Sequence, residues 1–150
     1  MPLDFSEIIL SIEERERKRL AAMKEQDVSK PLSKGKWSKK EILGHLIDSA
    51  SNNHQRFVRA SIADGLEFPS YVQTDWVQMQ DYADESWNLL VDFWSAYNLH
   101  LAHVIANAPP EKLSVKCRIG DEKPLTLEEL IGEYVRHMEH HLKQLNGIAE

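Results

Sequence analysis

One cysteine, Cys117, is all that 150 residues contain. An intramolecular disulfide framework is therefore excluded. Cys117 sits among loop-like residues with no histidine or helix start nearby in sequence, which favours a free structural thiol over a nucleophile. Long apolar runs are missing as well. None approaches about 18 residues, so no membrane span is expected. The stretch MPLDFSEIIL carries Asp4 and Glu7 where a secretory signal would carry positive charge. A reduced, cytoplasmic protein is the expectation. Concentrated positive charge is also scarce: the net charge is −6, and Lys and Arg are dispersed. Phosphate backbones require a dense cationic surface, so no nucleic-acid partner is expected. The one compact basic run, RERKRL (15–20), is flanked by Glu13, Glu14 and Glu25 and reads as a solvated, charge-paired helix face. Finally, no segment alternates with the period of a strand.

What remains is helical periodicity. Hydrophobic content of 42% and charged content of 28% describe an ordinary globular chain, and its length suits a single domain over residues 1–150. Four segments qualify. The first, residues 4–24, starts at Asp4 with Glu7 and places Phe5, Ile8, Ile9, Ile12 and Leu20 on one stripe. Pro31 and Gly35 break the chain before the second, residues 38–63, where Ser38 and Glu41 form a capping box. The third, residues 85–108, is rich in Trp87, Leu90, Phe93, Trp94, Tyr97 and Leu101, and Pro109 and Pro110 stop it. The fourth, residues 126–145, opens with the capping box Thr126 and Glu129, and Gly147 stands at its end. A long connection, residues 64–85, joins segments two and three. That length allows a crossover, which makes the two segments parallel in a four-helix bundle. Its aromatics, Phe68, Tyr71, Trp76 and Tyr82, are expected to pack on the bundle, with Trp76 anchored in the core; the alternative is that Trp76 and Gln78 close over a cleft.

The segment YVRHMEHHLKQL (134–145) holds His137, His140 and His141. At about 100° per residue, His141 lies roughly 50° from the centre of the apolar face, His137 roughly 90° and His140 roughly 150°. His140 therefore turns to solvent. His137 and His141 are i, i+4 neighbours and can address one ion. Glu139 stands roughly 200° around from His137, so the string is not an H-E-x-x-H metalloprotease motif. The pair alone also fits an ordinary exposed or hydrogen-bonded helix face. On segment two, the apolar face of Ile42, Leu46, Phe57 and Ala60 is interleaved with His45, Ser49, Asn53 and Arg56. Polar groups on an inward stripe are costly unless hydrogen-bonded or ligated. They line a wet cleft or a buried polar network, or else His45 supplies a third nitrogen and the others line a pocket. Arg56 fits either an ion pair or the steering of an anion. His54 reads as a rim residue, and His100 and His103 as solvated.

KWSKKEILGHLIDSASNNHQRF (36–57) resembles the second-helix signature of the DinB/YfiT-like metalloenzyme superfamily, and YVRHMEHHLKQL resembles its fourth-helix signature. QTDWVQMQDYAD and LTLEELIGEYV are similar to the intervening regions. The resemblance implies an all-α, four-helix bundle of up-down-down-up order, with a divalent metal held by His45, His137 and His141. Imidazole ligands suit zinc and nickel alike, and the resemblance implies a low-molecular-weight thiol as a further cofactor. The expected function is a metal-dependent hydrolase or thiol S-transferase acting on a small molecule through an open three-histidine site, with Ser49, Asn53 and Arg56 lining the substrate pocket. The alternative is a non-catalytic, stress-related bundle with a structural metal or a small-ligand role. A homodimer is the expected assembly.

Overall fold

The structure is a computed structural model that describes residues 4–147. Its long helices are α1 (Phe5–Ala21), α3 (Lys39–Ser61), α5 (Trp87–Asn107) and α6 (Leu127–Leu145). Two short ones, α2 (Glu25–Val28) and α4 (Gln73–Gln80), lie in the connections. The helix starts follow from local chemistry. Asp4 accepts from the Glu7 N–H, and both Ser38–Glu41 and Thr126–Glu129 close reciprocal capping boxes. The fourth start was not read from the sequence: Ser86 caps α5 by accepting from the Leu89 N–H.

Contacts between helices fix their directions. Ser6 donates to the Ala102 carbonyl, Ser95 to Glu13, and the Trp87 indole to the Leu20 carbonyl, so α1 and α5 run antiparallel. Lys40 reaches the Ala83 carbonyl just ahead of α5, while His54 meets Tyr97, so α3 and α5 run parallel. His45 meets His137, and Phe57 packs edge-on against Tyr134, so α3 and α6 are antiparallel. This is the up-down-down-up order, with helices arranged around the bundle as α1, α5, α3, α6. The core at the centre includes Trp87, Trp94, Phe57, Leu43, Ile131 and Met138, each nearly inaccessible. Phe93, placed on the aromatic face by the sequence, is instead largely exposed and stacks on Tyr97. The basic run on α1 behaves as expected: Arg15, Arg17 and Arg19 pair with Glu16 and Glu13.

The long crossover is packed down. Tyr82 is buried, and its ring lies so close to Gly44 that a Cβ there would sit 2.1 Å from Tyr82 Cδ2. The Tyr82 hydroxyl donates to Asp48 Oδ1 at 2.6 Å, and Gln80 donates to the same oxygen at 2.8 Å. Trp76 does not anchor in the core. It is 38% exposed and lies against Tyr71, because Val77 takes the inward position of α4 and its neighbour Trp76 points about 100° away around the helix.

A small sheet also forms that sequence periodicity did not reveal. Strand β1 (Leu66–Phe68) pairs parallel with β2 (Lys116–Ile119), which pairs antiparallel with β3 (Leu125–Thr126). The parallel pair is possible because α4 and α5 make the long return that such pairing needs. Gly120, at φ +60°, ends β2 with its N–H on the Phe68 carbonyl and its Cα close to Ser70. Among the described residues no helix is long and apolar enough to cross a membrane.

Candidate metal centre

Residues on α3 and α6 converge where the two helices pass. His45 is fully buried, and His137 and His141 are half-buried. Their ring centroids form a nearly equilateral triangle: 4.8 Å for His45–His137, 4.8 Å for His45–His141 and 4.6 Å for His137–His141. His45 Nε2 and His137 Nε2 are 3.0 Å apart, and one potential ligand atom from each of the three rings lies within 4.8 Å of the others. Among the described residues these three form the cluster able to hold an ion. His140 is exposed on the far side of α6, as its angular position required, with its ring 4.9 Å from that of His141.

The electrostatics suit ligation. Burial, reinforced by the neighbouring imidazoles, pulls His45 down to about 3. Burial first, then His141 and His140, pulls His137 down to about 4. Both are therefore neutral near pH 7, the form in which imidazole binds metal. His141 Nδ1 faces Gln144 Oε1 at 2.7 Å, a contact that fixes the ring. Trp37 packs on His45 at 5.1 Å. His45 Nδ1 is buried without a hydrogen-bond partner. A three-imidazole set with two rings held neutral by burial and the third oriented by a further side chain fits a divalent ion. The sequence reading had not picked out Gln144 or Trp37. Gln144 was detectable as the i+3 neighbour of His141.

A cleft of about 610 Å³ opens beside the cluster, with His137 in its wall. The sequence-selected Ser49, Asn53 and Arg56 all line it and are all buried. Asn53 donates to the Ser49 carbonyl, which holds this polar stripe in place. Arg56 makes no ion pair among the described residues, so the ion-pair alternative fails; its guanidinium lies over Phe68 at 5.6 Å. The opposite wall comes from the crossover and the small sheet, through Ser70, Tyr71, Cys117 and Ile119, and was not legible as a wall in the sequence. Cys117 is buried there, and burial pushes its thiol pKa up, which disfavours the reactive thiolate. Asp48, one turn beyond His45, keeps Oδ2 buried and unpartnered, and burial pushes its carboxyl pKa up. His54 is half-buried against Tyr97 and His100, while His100 and His103 are exposed.

Residues 12–145 match the DinB superfamily. A proposed metal-dependent hydrolase of Halalkalibacterium halodurans is 21% identical over 126 residues, covering 83% of this chain and 72% of that protein. YfiT from Bacillus subtilis, described as a proposed metal-dependent hydrolase of unusual four-helix-bundle topology, superposes with a TM-score of 0.86 at 17% identity, over 95% of this chain and 82% of YfiT. A mycothiol-dependent maleylpyruvate isomerase superposes with a TM-score of 0.77 at 12% identity. That match covers 97% of this chain but 61% of the isomerase. At these identities the two structures speak for the fold.

Proposed function

The chain belongs to the DinB superfamily, and from that premise we propose that it is a metal-dependent enzyme acting on a small molecule, either a hydrolase or a low-molecular-weight-thiol S-transferase. The observation that carries this reading is the convergence of His45, His137 and His141 beside an open cleft, with His137 in its wall. These three are the proposed ligands of one divalent ion. Imidazole suits zinc and nickel alike. A bound ion with three protein ligands supplies Lewis acidity and lowers the pKa of a water or thiol at its open positions.

The protein's own groups do the rest. Burial holds His45 and His137 neutral, and Gln144 orients His141. Ser49, Asn53 and Arg56 form the polar side of the substrate pocket, with Tyr71 opposite. Burial favours the thiol form of Cys117. The hydrolase names of the Halalkalibacterium halodurans and Bacillus subtilis proteins support the hydrolytic arm. The mycothiol dependence of the isomerase supports the thiol arm.

The test is elemental analysis of protein expressed without an affinity-metal step, followed by turnover assays. Those assays would pair bacillithiol, mycothiol or glutathione with electrophiles, and set ester and amide substrates against water. About one equivalent of metal, and turnover that disappears in His141→Ala while the helical spectrum is retained, is the expected result. Full metal binding by a variant with all three histidines replaced by alanine would refute the site. Metal with a fourth protein ligand and no turnover would favour the non-catalytic bundle, in which the ion only joins α3 to α6.

A further inference from the structure

Arg56 poses a problem that the metal reading does not solve. It is 8% exposed, yet no carboxylate pairs with it among the described residues. Its Nε is buried with no hydrogen-bond partner. The contact it does make is with the Phe68 face, which Arg59 shares at 5.9 Å. Burial lowers its pKa, with the Tyr71 phenol acting in the opposite direction, but a guanidinium stays charged regardless. A buried cation without a counter-charge is strongly unfavourable, and a leucine or methionine would fill the same position at less cost. None of the described residues supplies the missing counter-charge, which leaves a ligand as its source. The way in is the cleft, which Arg56 lines together with Ser49, Asn53, Tyr71 and His137.

We propose that Arg56 is an anion subsite of this cleft, and that the substrate is an elongated organic carboxylate. Its carboxylate sits on Arg56 and its reacting group at the three-histidine end. The anion end stands on Arg56 alone; the reacting end rests on the metal-dependent reading above. The planar fork of a guanidinium matches a carboxylate with two parallel hydrogen bonds. One buried guanidinium balances one negative charge. Glu122 and Glu133 at the exposed mouth of the same cleft repel a dianion, with Lys123 offsetting part of that field. Length follows from the helix. Arg56 lies about three turns, ~16 Å, along α3 from His45, and its side chain leans back toward the N-terminus of that helix. A ligand touching both ends is extended, on the order of 10 Å.

The first experiment uses metal-free protein and the ¹⁵N–¹H resonances of arginine side chains. Hexanoate is titrated against hexanamide, and the Arg56 Nε–H is assigned by its loss in Arg56→Gln. A saturable shift of that resonance with hexanoate, none with hexanamide, is expected. No saturable response, or the same response to both, overturns the subsite. Should Arg56→Gln not fold, Arg56→Lys serves for assignment, and the hexanoate–hexanamide comparison on wild type still decides. The second experiment uses zinc-loaded protein and two hydroxamates with the same six-carbon chain, one ending in carboxylate and one in primary amide. The carboxylate form should bind about tenfold tighter to wild type, and both forms equally to Arg56→Gln. Equal affinities for wild type overturn the two-ended substrate. If hexanoate binds at Arg56 but the hydroxamates bind no more tightly than hexanoate and hexanamide do, the anion subsite stands and the metal reading falls.

Discussion

His141 illustrates how much of this site depends on a single neighbour. Its Nδ1 lies 2.7 Å from Gln144 Oε1, which fixes the plane of the ring. Gln144→Ala should therefore weaken zinc binding about 10–100-fold with α6 intact, as loss of a ring-orienting partner does in other histidine sites. Competitive chelator titration and circular dichroism check both halves, and unchanged affinity would remove Gln144 from the site. The same scale governs pH. Burial depresses His45 to about 3 and His137 to about 4, whereas unfolded histidine titrates near 6.5. Below about 6.5 the unfolded chain takes up protons that the folded rings refuse, so stability falls with falling pH across that window. The contribution of these two rings in metal-free protein should thus be flat above about 7 and cost stability progressively from about 6.5 toward 4. Urea unfolding at stepped pH measures it, and a flat profile would show that these rings are not held neutral. His137 and His141 were separable from His140 in the sequence because helical angles distinguish inward from outward positions, whereas His45 was settled as the third of the set only through the family resemblance. The roles of Trp37 and Tyr71 were not legible, because what they do depends on which ring or wall they meet across space.

At the scale of elements, the four long helices were legible to within a few residues because their ends carry side-chain caps and their faces are amphipathic. The sheet was not. Its strands are two to four residues long, too short for alternation to register, and β1 finds β2 only after α4 and α5 have brought the chain back. The crossover was legible as a long connection but not as a clamp. Tyr82 lies on Gly44, next in sequence to His45, and its hydroxyl reaches Asp48. Gly44→Ala would force a methyl to within 2.1 Å of the Tyr82 ring, so the ring and the crossover must shift. A loss of about 1–3 kcal/mol is expected, the usual range for overpacking. Tyr82→Leu in the same chain should recover part of it, because it removes the ring that clashes. Denaturant midpoints of the two single variants and the double variant test this, and additive losses would show that the two residues do not touch.

Across the whole molecule, the three histidines come from two helices that are far apart in sequence and packed antiparallel. An ion held there adds a cross-link between α3 and α6, and the unfolded chain, with His45 far from the other two, cannot reproduce it. Binding to the folded state alone stabilises by mass action, about 2.7 kcal/mol when free metal is 100 times Kd. In a domain of this length each kcal/mol moves Tm by about 2–4 °C, so saturating zinc should raise Tm by roughly 5–10 °C. EDTA should return it to the metal-free value. Replacing His45, His137 and His141 together by alanine should abolish the zinc-dependent rise while leaving cooperative unfolding, because the core around Trp87, Trp94 and Phe57 does not involve them. Scanning calorimetry of both proteins with zinc and with EDTA separates the outcomes. A rise that persists in the triple variant would place the ion elsewhere. A rise confined to the wild type would tie the metal-dependent part of the bundle's stability to the same three side chains that join α3 to α6.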